Sequence, residues 1–202
     1  MNTRFLTTLA AAALLSLATS GARAADDFKP EPGFKSLYNG KDLTGWGYRD
    51  KEFKPVAAET FNGKTEAIDG RYTAKPGVLT VNPHVEGRAR VRQLYTVEEF
   101  PKNFILKLEF RAAVNADSCI YVRQPQLQCR DYLVAGPYKD LKKYRAQDWN
   151  EIEVVVKDGV ARCTCNGEVI EAALKLPATG PIGLEADRGT MEYRRIRLKE
   201  LP

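Results

Sequence analysis

Two tight-turn signals in quick succession constrain the fold of this chain more than any other feature. The β-branched run Ile152–Lys157 ends at Asp158-Gly159, and the next run, Val160–Cys165, ends at Asn166-Gly167. Asp-Gly and Asn-Gly favour the two-residue turns of β-hairpins because both residues of such a turn adopt positive φ. Since Val169-Ile170 follows with another apolar β-branched pair, the sequence predicts two consecutive hairpins.

Strand patterns continue through the rest of the chain, whereas helical patterns are almost absent. Further strands are predicted at Ala67–Thr73, Val78–Asn82, Arg90–Thr96, Phe104–Ala112, Gly183–Asp187 and Met191–Leu198. A bulge is predicted near Arg194-Arg195, and single helical turns are predicted at Val97–Phe100 and Asp140–Arg145. Many short strands with turn residues between them are typical of an all-β fold, and we expect a jelly-roll β-sandwich of two antiparallel sheets. The predicted core includes Leu106, Leu108, Phe110, Ile152, Val154 and Val156.

The first 24 residues have the pattern of a signal peptide. Arg4 precedes an apolar run, and Ala22-Arg23-Ala24 has the small-x-small form of a cleavage site. We therefore expect export to the periplasm or beyond, with residues 25–202 forming one domain that contains no membrane span. Loss of Arg4 and Arg23 lowers the formal net charge from +5 to +3. This charge is small and the basic residues are scattered along the chain, so no nucleic-acid partner is predicted.

The cysteines leave the disulfide pattern open. Cys163 and Cys165 lie two residues apart, hence on one face of a strand, where a direct bridge would be strained. Cys119 and Cys129 could bridge neighbouring strands, and buried free thiols are the other interpretation. The single histidine, His84, is distant in sequence, so a Cys/His metal site is not expected.

The residues Phe34–Trp46 read Phe-Lys-Ser-Leu-Tyr-Asn-Gly-Lys-Asp-Leu-Thr-Gly-Trp. This string resembles the opening signature of the 3-keto-disaccharide hydrolase domain family, a bacterial exported group with a concanavalin-like β-sandwich. The resemblance continues through Ile68-Asp69-Gly70, Phe104–Arg111, Asp117–Arg123, Gln126–Asp131, Trp149-Asn150, Asn166-Gly167, Gly183–Asp187 and Tyr193–Arg197. It therefore implies a sugar-processing site on a sandwich fold.

The chain departs from the family pattern at polar strand positions. Gln126 stands where the family has glutamate, Glu185 where it has glutamine, Asp187 where it has histidine and Cys119 where it has glycine. Such changes alter protonation chemistry directly, so they bear on the activity more than on the fold.

The resemblance implies a reaction in which a C3 ketone acidifies the C2 hydrogen and the glycosidic oxygen leaves by elimination, followed by hydration. Such a site needs a base, a donor to the enolate oxygen and a proton donor to the leaving oxygen. We expect Arg123 to be the enolate partner, Glu185 or Asp131 the base, and Tyr121 or Tyr132 the donor to the leaving oxygen. The predicted substrate contacts are made by Tyr121, Gln126, Gln128, Asp187 and Trp46.

Alternative roles stay open for several of these residues. Arg123 could pair structurally with Asp131 or Asp117, Trp46 could be a core residue, and Glu185 with Asp187 could bind calcium or be a solvated pair. The ketone already acts as the electron sink, so no redox cofactor is expected. The expected partner is a small oxidised glycoside, and the alternative function is a non-catalytic carbohydrate-binding module. The sequence leaves the oligomeric state open.

Overall fold

Strands account for nearly all regular structure in the computed structural model, which describes residues 28–83, 92–134 and 136–202. The predicted signal peptide and His84 lie outside these residues. The strands are β1 (Lys35–Ser36), β2 (Trp46–Arg49), β3 (Pro55–Thr60), β4 (Tyr72–Lys75), β5 (Val78–Val81), β6 (Leu94–Thr96), β7 (Phe104–Ala112), β8 (Cys119–Val122), β9 (Gln126–Gln128), β10 (Asn150–Lys157), β11 (Val160–Cys165), β12 (Glu168–Lys175), β13 (Ile182–Leu184) and β14 (Met191–Glu200).

The strands form two antiparallel sheets that pack face to face. The eight-stranded sheet has the order β12-β11-β10-β7-β14-β5-β4, with β1 also paired to β14. The six-stranded sheet has the order β3-β2-β6-β13-β8-β9. Because most neighbours are not consecutive in sequence, the chain crosses between the sheets repeatedly, as in a jelly roll. The predicted all-β, two-sheet sandwich is therefore confirmed.

Alternation along the strands builds the core between the sheets. Along β7 and β10 every second residue is buried, and the register places Leu106 opposite Val154 and Leu108 opposite Ile152. All six predicted core residues are fully buried. The predicted Asp158-Gly159 and Asn166-Gly167 hairpins are present, and all four of these turn residues have positive φ.

Local predictions were less accurate where turn geometry decides the outcome. The predicted strand Ala67–Thr73 is mostly a turn at residues 68–71, and β4 begins only at Tyr72. The stretches Val97–Phe100 and Asp140–Arg145 form bends and turns rather than helix. The bulge predicted near Arg194-Arg195 is present, because the β7–β14 register shifts after Arg194 and Arg195 has positive φ. The described residues contain no helix long and apolar enough to cross a membrane.

An N-terminal arm, residues 28–34, packs on the eight-stranded sheet. Glu31 accepts hydrogen bonds from Arg197 Nε at 2.6 Å and Nη2 at 2.9 Å, and the ring of Phe28 lies beneath the Arg197 guanidinium at 5.1 Å. The Arg197 side chain is only 4% exposed, so its charge needs a partner. The hydrogen bond from Arg197 lowers the pKa of Glu31 from 4.5 to about 2.

We expect Glu31→Gln to destabilise the protein by about 0.5–1 kcal/mol at neutral pH, because the carboxylate is partly exposed and Arg197 retains Glu151. A lowered folded-state pKa gives stability that is present above pH 4.5 and is lost as the pH falls toward 2. The difference in melting temperature between wild type and Glu31→Gln should therefore shrink across that window. Glu52→Gln, which removes an exposed ion pair with Lys54, is the matched control and should change little at any pH. A Glu31→Gln difference that is equally large at pH 2 and pH 7 would contradict this assignment.

Candidate functional site

The outer face of the six-stranded sheet, the face turned away from the core, presents a continuous surface across five strands. Leu94, Ile120, Leu127 and Leu184 point inward and are fully buried in the core. The register aligns the residues one step along from them in a row across the sheet: Gly47, Tyr95, Gly183, Tyr121 and Gln126. Since successive side chains on a strand alternate between faces, this row belongs to the outer face.

Three aromatic rings form a floor on this face, hereafter the aromatic floor (Phe53, Tyr95 and Tyr121). Phe53 contacts Tyr95 edge to face with centroids 5.0 Å apart, and Tyr95 lies 5.5 Å from Tyr121. The Tyr95 ring lies directly over Gly183, where a Cβ would be 2.4 Å from Tyr95 Cε1. The missing side chain at Gly183 therefore creates the space that the ring occupies. Tyr95 is itself only 9% exposed, so Phe53 and Tyr121, which are partly exposed, are the two rings that can contact the apolar face of a sugar ring.

A polar cluster of Tyr121, Gln126 and Glu185 stands beside this floor. Tyr121 Oη donates to Glu185 Oε1 at 3.2 Å, and Gln126 Nε2 donates to Tyr121 Oη at 3.0 Å and to Glu185 Oε1 at 3.1 Å. The Glu185 backbone is fixed as well, since its N–H donates to Cys119 O and its carbonyl accepts from Ser118 Oγ. Glu185 is half-buried, so its carboxylate is both positioned and reachable.

The tyrosine and thiol in this region stay protonated at working pH. Burial raises the pKa of Tyr121 well above its usual value, and the charge of Glu185 raises it further. Burial likewise raises the pKa of Cys119, again with a contribution from Glu185. Tyr121 and Cys119 therefore keep their protons near neutral pH, so neither is a base and Cys119 is not a thiolate nucleophile.

A charged group lies farther along the same face at the ends of β8 and β9. Arg130 Nη1 donates to Gln128 Oε1 at 3.2 Å, and Arg130 Nη2 donates to Asp117 Oδ2 at 2.7 Å. Arg188 Nη2 lies 3.7 Å from Asp117 Oδ2. Because Gln128 pairs with Cys119 in the sheet register, it stands between the polar cluster and this charged group.

Arg123 lies away from this face. Its guanidinium is buried and donates to three backbone carbonyl oxygens, those of Phe100, Lys102 and Pro177, at 2.7–2.8 Å. Neither of the alternatives raised from the sequence, an enolate partner or a carboxylate pair, describes this arrangement. Arg123 has positive φ, which turns its side chain out of the strand alternation and into the end of the core.

Arg123→Lys should lower the free energy of unfolding by about 1–3 kcal/mol, because one ammonium cannot satisfy three carbonyl oxygens that the guanidinium fork reaches together. Turnover per folded molecule should stay unchanged. Denaturant unfolding and kcat measured on the same preparations test this, with the exposed Arg162→Lys as the matched control. A variant with wild-type stability and reduced kcat would return Arg123 to the catalytic site.

The other predicted site residues divide clearly by position. Glu185, Tyr121, Gln126 and Gln128 come together on the outer face. Asp131 is buried and accepts from Asn115 N and Gln147 Nε2, so it holds loops together. Trp46 is fully buried and its indole donates to Leu37 O at 2.7 Å, so the prediction that it contacts substrate is wrong.

Asp187 and Tyr132 make no side-chain hydrogen bond with Tyr121, Gln126 or Glu185 and so are not part of the polar cluster. The Asp187 side chain is exposed, and its backbone carbonyl accepts from Arg71 Nη2. Tyr132 is fully buried and donates to Gln128 O, so it is a core residue rather than a donor to substrate. Among the described residues, no group of three or more His, Cys, Asp or Glu side chains is placed to hold a metal ion.

The four cysteines are free and buried. A Cys119–Cys129 bridge is ruled out by the register, because Cys119 pairs with Gln128 and the next residue, Cys129, therefore faces the opposite side of the sheet.

Sequence reasoning missed Phe53, Tyr95 and Gly183. The alternation of Leu94, Tyr95 and Thr96 carried a signal for Tyr95, whereas Phe53 lies in an irregular loop that no periodic pattern assigns to a face.

Comparison with known proteins supports the family resemblance and the fold. A family model described as a 3-keto-alpha-glucoside-1,2-lyase-like domain matches residues 33–199, which confirms the resemblance noted in the sequence. A candidate glycosyl hydrolase from Parabacteroides distasonis ATCC 8503 is similar in structure, with TM-score 0.62, 17% identity and coverage of 84% of this chain and 95% of its own. A second such structure from the same organism has TM-score 0.58, 17% identity and coverage of 83% and 99%. At this identity the likeness establishes the fold. No protein with a curated description matches the sequence significantly.

Proposed function

This chain belongs to the 3-keto-alpha-glucoside-1,2-lyase-like domain family, and we propose that it cleaves the glycosidic bond of a 3-keto sugar on the outer face of its six-stranded sheet. The observation that carries the proposal is the polar cluster, in which a reachable carboxylate, a protonated tyrosine and an amide share hydrogen bonds beside an aromatic floor. These are the group types that an elimination next to a ketone requires.

Glu185 is the proposed base. Its carboxylate takes the C2 proton while the electrons of the C2–H bond move toward the C3 carbonyl, which becomes an enolate. The enolate then expels the oxygen at C1, so a C1–C2 double bond forms as the glycosidic bond breaks. Water adds across this double bond to complete hydrolysis, with no net oxidation or reduction.

Tyr121 is the proposed donor to the leaving oxygen. Its hydroxyl lies 3.2 Å from Glu185 Oε1, so a proton taken from C2 by Glu185 can replace the one that Tyr121 gives away. Gln126 contacts both groups and holds them together. The aromatic floor places the sugar ring, and the predicted signal peptide would bring this reaction outside the cytoplasm.

Turnover of a chromogenic 3-keto-glucoside tests the proposal. The purified mature chain should release the chromophore across some part of the range from about pH 5 to pH 9, in which tuned carboxylates operate. The corresponding glucoside without the ketone should remain intact, because its C2 hydrogen is not acidified. Equal rates on the two substrates, or no release from either, would contradict the proposed reaction.

A non-catalytic carbohydrate-binding module is the second candidate. The aromatic floor favours it, because aromatic side chains can bind the apolar face of a sugar without any need for a base. Saturable binding of the 3-keto-glucoside without release at any pH in that range would favour the module.

A further inference from the structure

Two glutamines on strand β9 face the same surface but present opposite ends of their amides. Gln126 and Gln128 are two residues apart, and both lie on the outer face of the six-stranded sheet. An amide has one acceptor oxygen and one donor NH₂ group, so the partner already bound decides what is left for a ligand.

The Gln126 amide has its donor end engaged. Its Nε2 donates to Tyr121 Oη and to Glu185 Oε1, and an ionised carboxylate can only accept, so the nitrogen must face it. The Gln126 amide oxygen, an acceptor, is therefore the group that remains available to a ligand.

The Gln128 amide has its acceptor end engaged. Arginine has donors and no acceptor, so the contact from Arg130 Nη1 at 3.2 Å fixes the Gln128 oxygen toward Arg130 and its NH₂ away from it. Arg130 is held in turn by Asp117 Oδ2 at 2.7 Å, and its side chain is only 13% exposed. A cation bound to the carbonyl end of an amide polarises its N–H bonds and makes them stronger donors.

Gln128 lies two strands from Glu185, since β8 separates β9 from β13. In the register Gln128 pairs with Cys119, and the Glu185 N–H donates to Cys119 O, so Gln128 and Glu185 lie in one row at about two strand spacings, or ~10 Å between backbones. A sugar ring that lies over this row with its C2 hydrogen toward Glu185 can direct its neighbouring C3 oxygen toward Gln128. Arg123, the enolate partner expected from the sequence, is buried elsewhere and therefore cannot donate a hydrogen bond to this C3 oxygen.

We propose that Gln128 is a catalytic residue whose NH₂ group donates to the C3 oxygen as it becomes an enolate, and that Arg130 and Asp117 are positioning residues that aim it. The inference rests on the proposed function and deepens it. In the step itself, the C2–H bond breaks, its proton passes to Glu185, and the electron pair forms a C2–C3 double bond while negative charge moves to the C3 oxygen. Gln128 stabilises that charge without giving up a proton.

Gln128→Glu tests the proposal most sharply, because it preserves size and the acceptor contact with Arg130 while removing both N–H donors. We expect kcat for the 3-keto-glucoside to fall by about 10²–10³-fold, as for a lost oxyanion donor, with KM changed by only a few-fold. Gln128→Met removes the donors without adding charge, and its kcat should fall by a similar factor. Arg130→Met leaves the Gln128 amide in place but removes the contact that orients it, so kcat should fall by a smaller factor.

Gln124→Glu is the matched control, since Gln124 is exposed in the turn between β8 and β9 and undergoes the same chemical change. It should retain wild-type kcat. The rate of C2 hydrogen exchange in D₂O is the second readout, because it reports enolate formation separately from leaving-group departure, and it should fall in Gln128→Glu in parallel with kcat. If Gln128→Glu and Gln128→Met both fold and keep kcat within about threefold of wild type, the inference fails while the proposed function stands. A wild-type protein that releases no product overturns both.

Discussion

Replacing Glu185 with glutamine should reduce kcat on a 3-keto-glucoside by about 10²–10⁴-fold, the range expected for loss of a general base. Glutamine keeps the size of the side chain and an oxygen that can accept from Tyr121 and Gln126, so the polar cluster should persist. An amide cannot take a proton from C2, so the loss should appear in kcat. Steady-state kinetics and thermal unfolding on the same preparation measure both quantities.

Asp187→Asn is the control for this experiment. Asp187 is an acidic residue two positions along the chain whose exposed side chain makes no hydrogen bond with the polar cluster, so its conversion to an amide should leave kcat within about threefold of wild type. Comparable losses in Asp187→Asn and Glu185→Gln would indicate that overall charge, rather than a positioned base, supports turnover.

Gly183→Ala should both destabilise the protein and weaken substrate binding. The new methyl group would lie 2.4 Å from Tyr95 Cε1 and 3.1 Å from Tyr121 Cβ, far inside van der Waals contact. Overpacking of this kind costs about 1–3 kcal/mol. Because Tyr95 must leave the position it occupies over the strand, the aromatic floor should be displaced and KM should rise.

A double-mutant cycle with Tyr95→Ala isolates that clash. Removing the ring gives the Gly183→Ala methyl group room, so the stability penalty of Gly183→Ala should largely disappear when Tyr95 is already alanine. An equal penalty in both backgrounds would mean that Gly183 is required for its backbone rather than for the ring above it.

The sequence predicted the architecture well because strand periodicity and hairpin turns are local signals. The Asp158-Gly159 and Asn166-Gly167 turns and the alternating β7 and β10 strands are read from short stretches. The same periodicity, extended across paired strands, places Glu185, Tyr121 and Gln126 on one face once their register is known. That register depends on contacts distant in sequence, such as β13 lying between β6 and β8.

The failures have equally specific causes. Trp46 precedes Gly47, which faces outward opposite Tyr95, so the indole points into the core. Asp131 lies beyond the end of β9, where strand alternation no longer applies, and its buried carboxylate accepts from Asn115 N and Gln147 Nε2. Arg123 is two residues beyond Tyr121, and alternation alone would place both outward. The positive φ of Arg123 directs its side chain inward instead, and no sequence pattern predicts a positive φ at this non-glycine residue.

The central claim is that cleavage begins with removal of the C2 proton by Glu185, and proton exchange in D₂O tests it most directly. A 3-keto-glucoside incubated with wild type in D₂O should yield a product that carries deuterium at C2, at a rate well above the enzyme-free control measured by NMR. Glu185→Gln should lower that rate toward the control. Product that is released by wild type with its original C2 hydrogen retained, or exchange that is equally fast in Glu185→Gln, would contradict the account.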